Sequence, residues 1–394
     1  MAIHIIENEN DAVYRHMSKD RILEIAEDKG KVNGLRAYRY ALLHQDNNIR
    51  EDIMPKIDKY DLIEVTSCMP ADNNIYFTGI TEHTGGKVFI TLYQYDVETK
   101  QLKDFYSYED TLALYPEQKK VKIFILDEDY IIVQNSYLRH NMADNFEGYF
   151  DVELILYNIK VNNTVPIADP NLSLGIECLI PVSKNTCVIK TGFSVFPDDM
   201  YKKISKTESV TEILGLVNVK QLITDILLKQ RNVYIDVIDR VQFDKTIPKI
   251  KVRKGQLIYS RVSPLEAKEE VVFFNIGTGK NRICVKNRVT GMDKLAKTYI
   301  LMGEPHVLVS KQGETYLYNV ADNAITLRLG KGISLKTIKD NYVILEKEKN
   351  SILGYPVYTT EVYEYPGEQL VLKEKAAYSD FYVTKDNDIY LFVK

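Results

Sequence analysis

The feature that most constrains the fold of this chain is a short motif that recurs along most of its length. In its clearest form, Leu156-Tyr157-Asn158-Ile159, an apolar pair is followed by Asn and then Ile, and the motif closes a run of alternating apolar residues. The polar residue of the motif, or a looser equivalent, recurs at Asp96, Asn158, Asn218, Asn275, Asn319 and Glu364. Such intervals are typical of a repeated unit of four strands with loops of variable length. The sequence therefore predicts a repeat protein made of β-sheets.

Alternating apolar runs divide the intervals into strands, with Gly, Asn and Asp clusters between them. Six units are predicted from residues 62 to 373, each with four strands, and two further strands follow near the C-terminal end. Two more predicted strands, at residues 35–43 and 49–57, would complete this last unit. A unit shared between the two ends of the chain would leave no sheet edge open to aggregation.

In this arrangement the chain resembles β-propeller repeat proteins over most of residues 34–394. The resemblance concerns the architecture and no specific family. It implies an all-β fold: a seven-bladed β-propeller of four-stranded antiparallel blades, with the ring closed by N-terminal strands. We expect residues 1–394 to form a single β-propeller domain. Its parts are an N-terminal segment of uncertain fold (1–33), strands that complete the last blade (34–57) and a blade that bears an insertion (196–248).

One helix is predicted within the insertion, near residues 207–231. The apolar residues have the i, i+3, i+4, i+7, i+8 spacing of an amphipathic helix, and they are Val219, Leu222, Ile223, Ile226 and Leu227. This apolar stripe would pack on the host sheet or bind a partner, and packing is the favoured interpretation. In the first 33 residues the pattern fits either a helix or strands.

Charge and hydropathy limit the classes of partner. With 51 basic and 55 acidic residues the formal net charge is −4, which argues against a nucleic-acid partner. A local basic group at Lys249, Lys251, Arg253 and Lys254 alternates with apolar residues, and we interpret it as the polar side of a strand. No leader peptide and no membrane-spanning segment is recognised, so the sequence predicts a cytoplasmic protein with no membrane partner.

The four cysteines, Cys68, Cys178, Cys187 and Cys284, are far apart and lack C-x-x-C spacing. This spacing disfavours a zinc site or a disulfide framework. Cys178 and Cys187 could face each other across a hairpin, although two buried thiols are the simpler interpretation.

No catalytic motif is recognised. The sequence contains no G-x-S-x-G elbow, and no Cys has an adjacent His. Residues 275–280 resemble a phosphate-binding loop, but Phe274 replaces its first glycine, so a hairpin turn is predicted instead. We therefore predict no catalytic residue, no metal and no cofactor.

The resemblance implies that long loops gather on one face around a central channel. Three long loops are predicted, at residues 137–149, 194–209 and 347–357. The leading hypothesis is a non-catalytic binding or scaffold module that recognises a protein or small ligand, not identified by the sequence, through this long-loop face. The alternative is an enzyme acting on a carbohydrate or small metabolite at the channel mouth, with Glu82, His83, His140 and Asp198 as acid, base or ligands. The candidate binding residues are Glu82, His83, Tyr137, Arg139, His140, Tyr149, Phe196, Asp198, Asp199, Tyr201 and Tyr355.

Overall fold

The fold is known from a computed structural model. It describes all residues except 1, 9–11, 17–20, 33–34, 45–48, 61–62, 70–73, 84–86, 97, 112–118, 142–145, 174, 193–210, 231, 243–244, 254, 264–265, 289–294, 312–313, 352–353, 367–368 and 384–387. The described part is all-β apart from one helix and is a β-propeller arrangement of small antiparallel sheets. The chain divides into two compact units: unit 1 comprises Met1–Asp20 and Pro248–Lys394, and unit 2 comprises Arg21–Ile247. The single-domain assignment stays a prediction.

The N-terminal segment is extended rather than helical. Its strands are β1 (Ile3–Glu7), β2 (Val13–His16), β3 (Arg21–Val32), β4 (Leu35–His44) and β5 (Ile49–Tyr60). Strands β2 to β5 form one four-stranded sheet in chain order. The alternating burial of β1, with His4 and Ile6 turned inward and their neighbours exposed, is the two-residue period of a strand.

The next strands form two sheets of unequal size. They are β6 (Ile63–Ser67), β7 (Asn74–His83), β8 (Lys87–Asp96), β9 (Gln101–Thr111), β10 (Lys119–Ile125), β11 (Tyr130–Asn141), β12 (Phe146–Asn158) and β13 (Asn163–Pro166). Strands β7 to β9 form a three-stranded sheet, and the other sheet has the order β13-β12-β11-β10-β6. The prediction that residues 62–65 begin the unit of β7 is wrong, because β6 pairs in parallel with β10.

The remaining strands repeat the predicted unit with little variation. Four four-stranded sheets follow in chain order, and the last two strands belong to a three-stranded sheet. The strands are β14 (Ile176–Ser183), β15 (Thr186–Thr191), β16 (Thr211–Asn218) and β17 (Asp236–Gln242); β18 (Thr246–Arg253), β19 (Gln256–Ser263), β20 (Lys268–Asn275) and β21 (Lys280–Arg288); β22 (Lys297–Leu301), β23 (Glu304–Lys311), β24 (Glu314–Asn319) and β25 (Ala324–Leu329); β26 (Ile333–Lys339), β27 (Tyr342–Asn350), β28 (Pro356–Glu364) and β29 (Gln369–Glu374); β30 (Tyr378–Val383) and β31 (Ile389–Val393).

Two corrections concern the ends of the chain and the number of blades. The sheet of β30 and β31 is completed by β1. Strand β1 pairs in parallel with β31, from Ile3 opposite Ile389 to Glu7 opposite Val393. The predicted partners, residues 35–43 and 49–57, belong instead to the sheet of β2 to β5. Because the first 33 residues supply strands of their own, the described residues form eight sheets and the prediction of seven blades is wrong.

The predicted helix is confirmed as α1 (Val219–Leu227), between β16 and β17. Asn218 is its N-cap, and the Asn218 side chain accepts a hydrogen bond from the Gln221 N–H at 3.1 Å. The predicted apolar stripe packs into the hydrophobic cluster of the neighbouring sheets, apart from Leu227, whose side chain is 41% exposed. The helix therefore packs on its host sheet, as predicted.

A repeated side-chain hydrogen bond joins successive sheets. In each case a buried Gln or Glu on the second or third strand of one sheet accepts the backbone N–H at the start of the next sheet. The pairs are Gln134 with Ile176 at 2.6 Å, Glu212 with Ile247 at 2.9 Å, Glu269 with Ala296 at 2.9 Å, and Glu346 with Tyr378 at 2.8 Å. These bonds satisfy backbone donors where the chain passes from one blade to the next.

The most deeply buried charge of unit 2 belongs to this same framework. Lys190 is fully buried and forms ion pairs with Glu177 and, at 3.5 Å, with Glu212. Burial raises the pKa of Glu212, and Lys190 opposes that shift. Since the Lys190 side chain is inaccessible to a substrate, we assign the cluster a structural role.

Candidate functional site

Several sequence-predicted site residues lie on strands rather than loops. Glu82 and His83 are the last residues of β7, paired with Val88 and Lys87. Tyr137, Arg139 and His140 are part of β11, and Tyr149 is part of β12, opposite Arg139. Residues 137–149 are therefore mostly a hairpin, and the predicted long loop is wrong there.

The predicted loop at residues 347–357 is also mostly strand where it is described. Strands β27 and β28 reach Asn350 and Pro356, so residues 347–357 narrow to a short turn. Tyr355 lies in this turn, 70% exposed, and its N–H donates to the Ser351 hydroxyl at 3.0 Å. Phe196, Asp198, Asp199 and Tyr201 lie outside the described residues. The predicted binding role of all these residues stays a prediction.

A different group of polar side chains comes together in unit 1, on the first strands of its sheets. Neighbouring first strands, β22 with β26 and β26 with β30, are in contact. The ends of these strands and of β18 carry four cations, Lys249, Lys251, Arg253 and Lys339, which we call the basic rim. Two carboxylates, Asp340 and Asp380, accompany them.

Lys251 reaches from β18 to the next sheet. Its ammonium donates to the Thr298 carbonyl oxygen at 2.5 Å and lies 4.8 Å from the centre of the Tyr299 ring. A carbonyl and an aromatic face both attract a cation. The side chain is thus held against β22, which is an edge strand of its sheet.

Lys339 repeats this arrangement two sheets further on. Its ammonium donates to the Phe381 carbonyl oxygen and lies 3.6 Å from the centre of the Tyr382 ring, with Asp380 at 3.4 Å. In both cases a lysine of one first strand binds a carbonyl and the following tyrosine ring on the next first strand. The same arrangement of lysine, carbonyl and tyrosine ring therefore occurs twice in unit 1.

Arg253 connects the ends of three first strands. Its guanidinium donates to the Ile300 carbonyl oxygen at 3.2 Å and forms an ion pair with Asp340 at 2.6 Å. Because Arg253 ends β18 and Asp340 follows β26, this contact holds the two halves of the basic rim together. The Arg253 side chain remains 25% exposed.

The basic rim has a positive electrostatic character that affects its own lysines. Burial lowers the pKa of Lys251, and the neighbouring charge of Lys249 lowers it further. Burial also lowers the pKa of Lys339, where Arg253 acts in the same direction and Asp380 and Asp340 oppose it. A bound anion would relieve this repulsion.

Two roles are chemically open to these cations. The bonds to Thr298 and Phe381 satisfy carbonyls of edge strands, which is a structural role. An ammonium has three N–H donors, so a lysine held by one carbonyl retains the capacity to bind an anion. The partial exposure of Arg253 and Lys339, at 25% and 34%, leaves both reachable from solvent.

Some residues of the basic rim were identified from the sequence, but their grouping into a site was not predicted. The strand interpretation of Lys249 to Arg253 is confirmed by β18, and Lys254 lies outside the described residues. The missed signal was the repeat: Lys251 and Lys339 lie near the ends of first strands, and each precedes a first strand that contains a tyrosine. Aligning the units by strand would have shown that both lysines lie in the last three residues of a first strand.

Unit 1 also contains two clefts, of about 220 Å³ and 510 Å³. The smaller cleft lies between β24–β25 and β26–β28, over the hydrophobic cluster of Leu317, Val343 and Leu345. The larger cleft is bordered by the starts of β22 and β26. The wall of the smaller cleft is mainly apolar and that of the larger cleft is more polar, and we interpret both as incompletely filled seams between sheets.

The described part of the chain shows neither a metal-binding cluster nor a membrane-spanning helix. Among those residues, no group of three or more His, Cys, Asp or Glu side chains is arranged to hold a metal ion. Within the same residues, no helix has the length and apolar character needed to cross a bilayer.

The chain matches no protein-family model, and no curated protein matches its sequence. Among solved structures it is similar to dipeptidyl peptidase 4 of Porphyromonas gingivalis, with 9% identity and a TM-score of 0.31, over 91% of this chain and 52% of that one. It is similar to prolyl oligopeptidase B of Galerina marginata, with 7% identity and a TM-score of 0.46, over 92% of this chain and 49% of that one. It is also similar to oligogalacturonate lyase of Vibrio parahaemolyticus, with 10% identity and a TM-score of 0.39, over 91% and 98%.

These comparisons contradict the predicted non-catalytic binding or scaffold module, because the three structures are enzymes by name. The chain spans about half the length of the two peptidase chains. Similarities of this size transfer no activity to the chain. Enzymes are thus among the structures it resembles, and its own function has to be argued from its residues.

Proposed function

We propose that the chain binds an anionic small molecule or short anionic oligomer at the basic rim, as a ligand or substrate. The observation that carries the proposal is the repeated placement of Lys251 and Lys339, each held against a carbonyl and a tyrosine ring of the next first strand. Arg253 lies at the same rim, with its guanidinium fixed by Ile300 and Asp340. Prearranged cations bind an anion with little further loss of side-chain entropy.

The placement of the cations on separate strands favours a ligand with more than one negative group. Lys251 and Lys339 belong to first strands that are two sheets apart. Asp340 and Asp380 neutralise part of the positive charge, so a single carboxylate would gain little. A dicarboxylate, a pyrophosphate or an acidic oligosaccharide could contact both lysines together.

The test is calorimetric titration at low ionic strength with citrate, pyrophosphate and oligogalacturonate. We expect Lys251→Ala/Lys339→Ala to weaken binding of the preferred anion about tenfold or more, since each charge-assisted hydrogen bond contributes about 1.5–3 kcal/mol. The matched control is Lys268→Ala/Lys286→Ala, which removes the same charge from β20 and β21, where the lysines pair with Glu266 and Glu270. Equal loss in both double variants, or binding of none of the three anions, would contradict the proposal. Mass spectrometry of the recovered anion shows whether it is turned over.

The pH dependence of binding gives a second readout. Because burial lowers the pKa of Lys251 and of Lys339, these ammonium groups lose their charge at lower pH than ordinary lysines. Affinity for the anion should therefore fall as the pH is raised into the alkaline range. The fall should be smaller in Lys251→Ala/Lys339→Ala than in the control double variant. An identical pH profile in all three proteins would count against the basic rim.

A further inference from the structure

Two cysteines that are far apart in the sequence meet inside unit 2. Cys68 follows β6, and its N–H donates to the Ile125 carbonyl oxygen at 2.8 Å. Cys187 is the second residue of β15. The two side chains belong to one hydrophobic cluster and are 1% and 0% exposed. The alternative that Cys178 and Cys187 face each other across a hairpin does not hold, because Cys187 lies opposite Pro181.

The Cys187 thiol is directed at Cys68. The Cys187 sulfur lies 3.9 Å from the Cys68 carbonyl oxygen, and both side chains lie in the same hydrophobic cluster. Both are reduced in this structure. Two neighbouring cysteines on separate elements can be joined by a disulfide when their Cβ atoms come within bonding geometry.

We propose that Cys68 and Cys187 are a site of reversible oxidation, at which a peroxide forms a disulfide between the segment after β6 and the sheet of β14 to β17. The proposal is independent of the anion-binding function, because it concerns unit 2 and different residues.

The two cysteines have different roles in this reaction. The hydrogen bond from Cys68 lowers the pKa of Cys187, against the effect of burial, whereas the same bond and burial raise the pKa of Cys68. In the proposed reaction, the ionised fraction of Cys187 attacks hydrogen peroxide, breaks the O–O bond and becomes a sulfenic acid with release of hydroxide. The Cys68 thiol then attacks this sulfur, the S–O bond breaks, and water leaves as the disulfide forms. Overall, two thiols are oxidised and one peroxide is reduced to two waters.

The experiment treats the full chain with hydrogen peroxide, blocks residual thiols with iodoacetamide and identifies cross-linked tryptic peptides by mass spectrometry without reduction. A Cys178→Ser/Cys284→Ser variant retains only the proposed pair and serves as the matched background. We expect a Cys68–Cys187 cross-link in both proteins, reversed by dithiothreitol, and a higher Tm for the oxidised form. The higher Tm follows because the bond closes a long loop in the unfolded chain.

Two single variants distinguish the proposed roles. In Cys68→Ser, Cys187 should accumulate as a sulfenic acid that dimedone traps. In Cys187→Ser, Cys68 should remain an unmodified thiol under the same conditions. The proposal is overturned if the two thiols stay alkylatable after peroxide treatment of the folded chain. It is also overturned if Cys187 is overoxidised without any cross-link to Cys68.

Discussion

At the scale of single residues, two kinds of acidic side chain can be distinguished: buried acceptors of hydrogen bonds and partly exposed members of ion pairs. Glu269 is fully buried; its carboxylate accepts the Ser260 hydroxyl at 2.6 Å and the Ala296 N–H at 2.9 Å. Its neighbour Glu270 is partly exposed and pairs with Arg261 at 2.7 Å and Lys286 at 3.3 Å. Adjacent residues of one type thus differ in whether their loss leaves buried donors unsatisfied.

Glu269→Ala should destabilise the protein by about 2–5 kcal/mol, because two buried donors would lose their acceptor and each costs about 1–3 kcal/mol. Glu270→Ala is the matched control, with an expected cost of about 0–1 kcal/mol for a partly solvated ion pair. Urea unfolding monitored by circular dichroism measures both. Equal costs would show that the bond between the sheets contributes nothing special.

The lowered pKa of Glu361 predicts how the stability of the fold depends on pH. Burial alone would raise its pKa, but hydrogen bonds from Lys347, Tyr363 and Lys373 outweigh burial and lower it to about 2. Since the folded pKa is below the unfolded value of 4.5, the stabilisation is present above about pH 4.5 and is lost as the pH falls toward 2.

Glu361→Gln should therefore lower the free energy of unfolding by about 1–2 kcal/mol at neutral pH. This is less than the pKa shift alone would give, because Lys347 and Lys373 are partly in water and the interaction is screened. The difference from the wild type should shrink as the pH is lowered from 4.5 to 2. Glu364→Gln, at an exposed position of the same strand, should retain the wild-type dependence. Unfolding midpoints measured across this range test the prediction, and a constant difference at every pH would refute it.

At the scale of elements, α1 shows how a short helix is held in a β-protein. Asn218 caps its N-terminal end. Within the helix, the carboxylate of the buried Asp225 accepts the Tyr234 N–H at 3.0 Å. The buried face packs into the hydrophobic cluster that also contains Leu179 and Ile189. A helix of nine residues depends on such packing, because isolated helices of this length are unstable in water.

The same substitution at two positions of α1 separates packing from helix propensity. Leu222 is 1% exposed and Leu227 is 41% exposed. We expect Leu222→Ala to cost about 2–5 kcal/mol through the cavity it creates, and Leu227→Ala to cost less than about 1 kcal/mol. Thermal or urea unfolding of the pair tests this. Similar costs would mean that the buried face does not anchor the helix.

The elements from β10 to β29 were largely predictable, because alternating apolar residues and Gly, Asn or Asp turns specify strands locally. The N-terminal strands were not, since Val13, Ile22 and Ile25 fit both a period of two and a period of 3.6. The basic rim and the Cys68–Cys187 contact were also out of reach. Both depend on which strands become neighbours in space, and the spacing of single residues does not specify that.

At the scale of the whole molecule, the number of sheets depends on the partner of the last strand. All five residues of β31 are buried, and β1 covers one of its edges. Further contacts support this pairing: the His4 ring stacks on Tyr390 at 4.5 Å, and the Asn8 side chain donates to the Ser379 hydroxyl at 2.8 Å. The eighth sheet follows from this pairing, since β2 to β5 are left to form a sheet of their own.

Deletion of residues 3–7 should lower the Tm and promote aggregation, because it uncovers the hydrogen-bonding edge of a wholly buried strand. Ile5→Thr is the control, since Ile5 is 42% exposed and threonine retains the strand backbone. Thermal unfolding and light scattering at several protein concentrations measure the effect. A deletion variant as stable and monodisperse as the control would contradict the pairing of β1 with β31.

The pairing of β1 with β31 also imposes a delay between the synthesis of β1 and the formation of its sheet. The Ala2 N–H and the Asp388 carboxylate that it bonds are separated by 386 positions, so the first strand leaves the ribosome long before its partner exists. At roughly 5–20 residues per second, β1 waits about 20–80 seconds as an unpaired segment. Unit 1 therefore completes this sheet only after β31 has been synthesised, and slowing translation would lengthen the time for which a chaperone can bind β1.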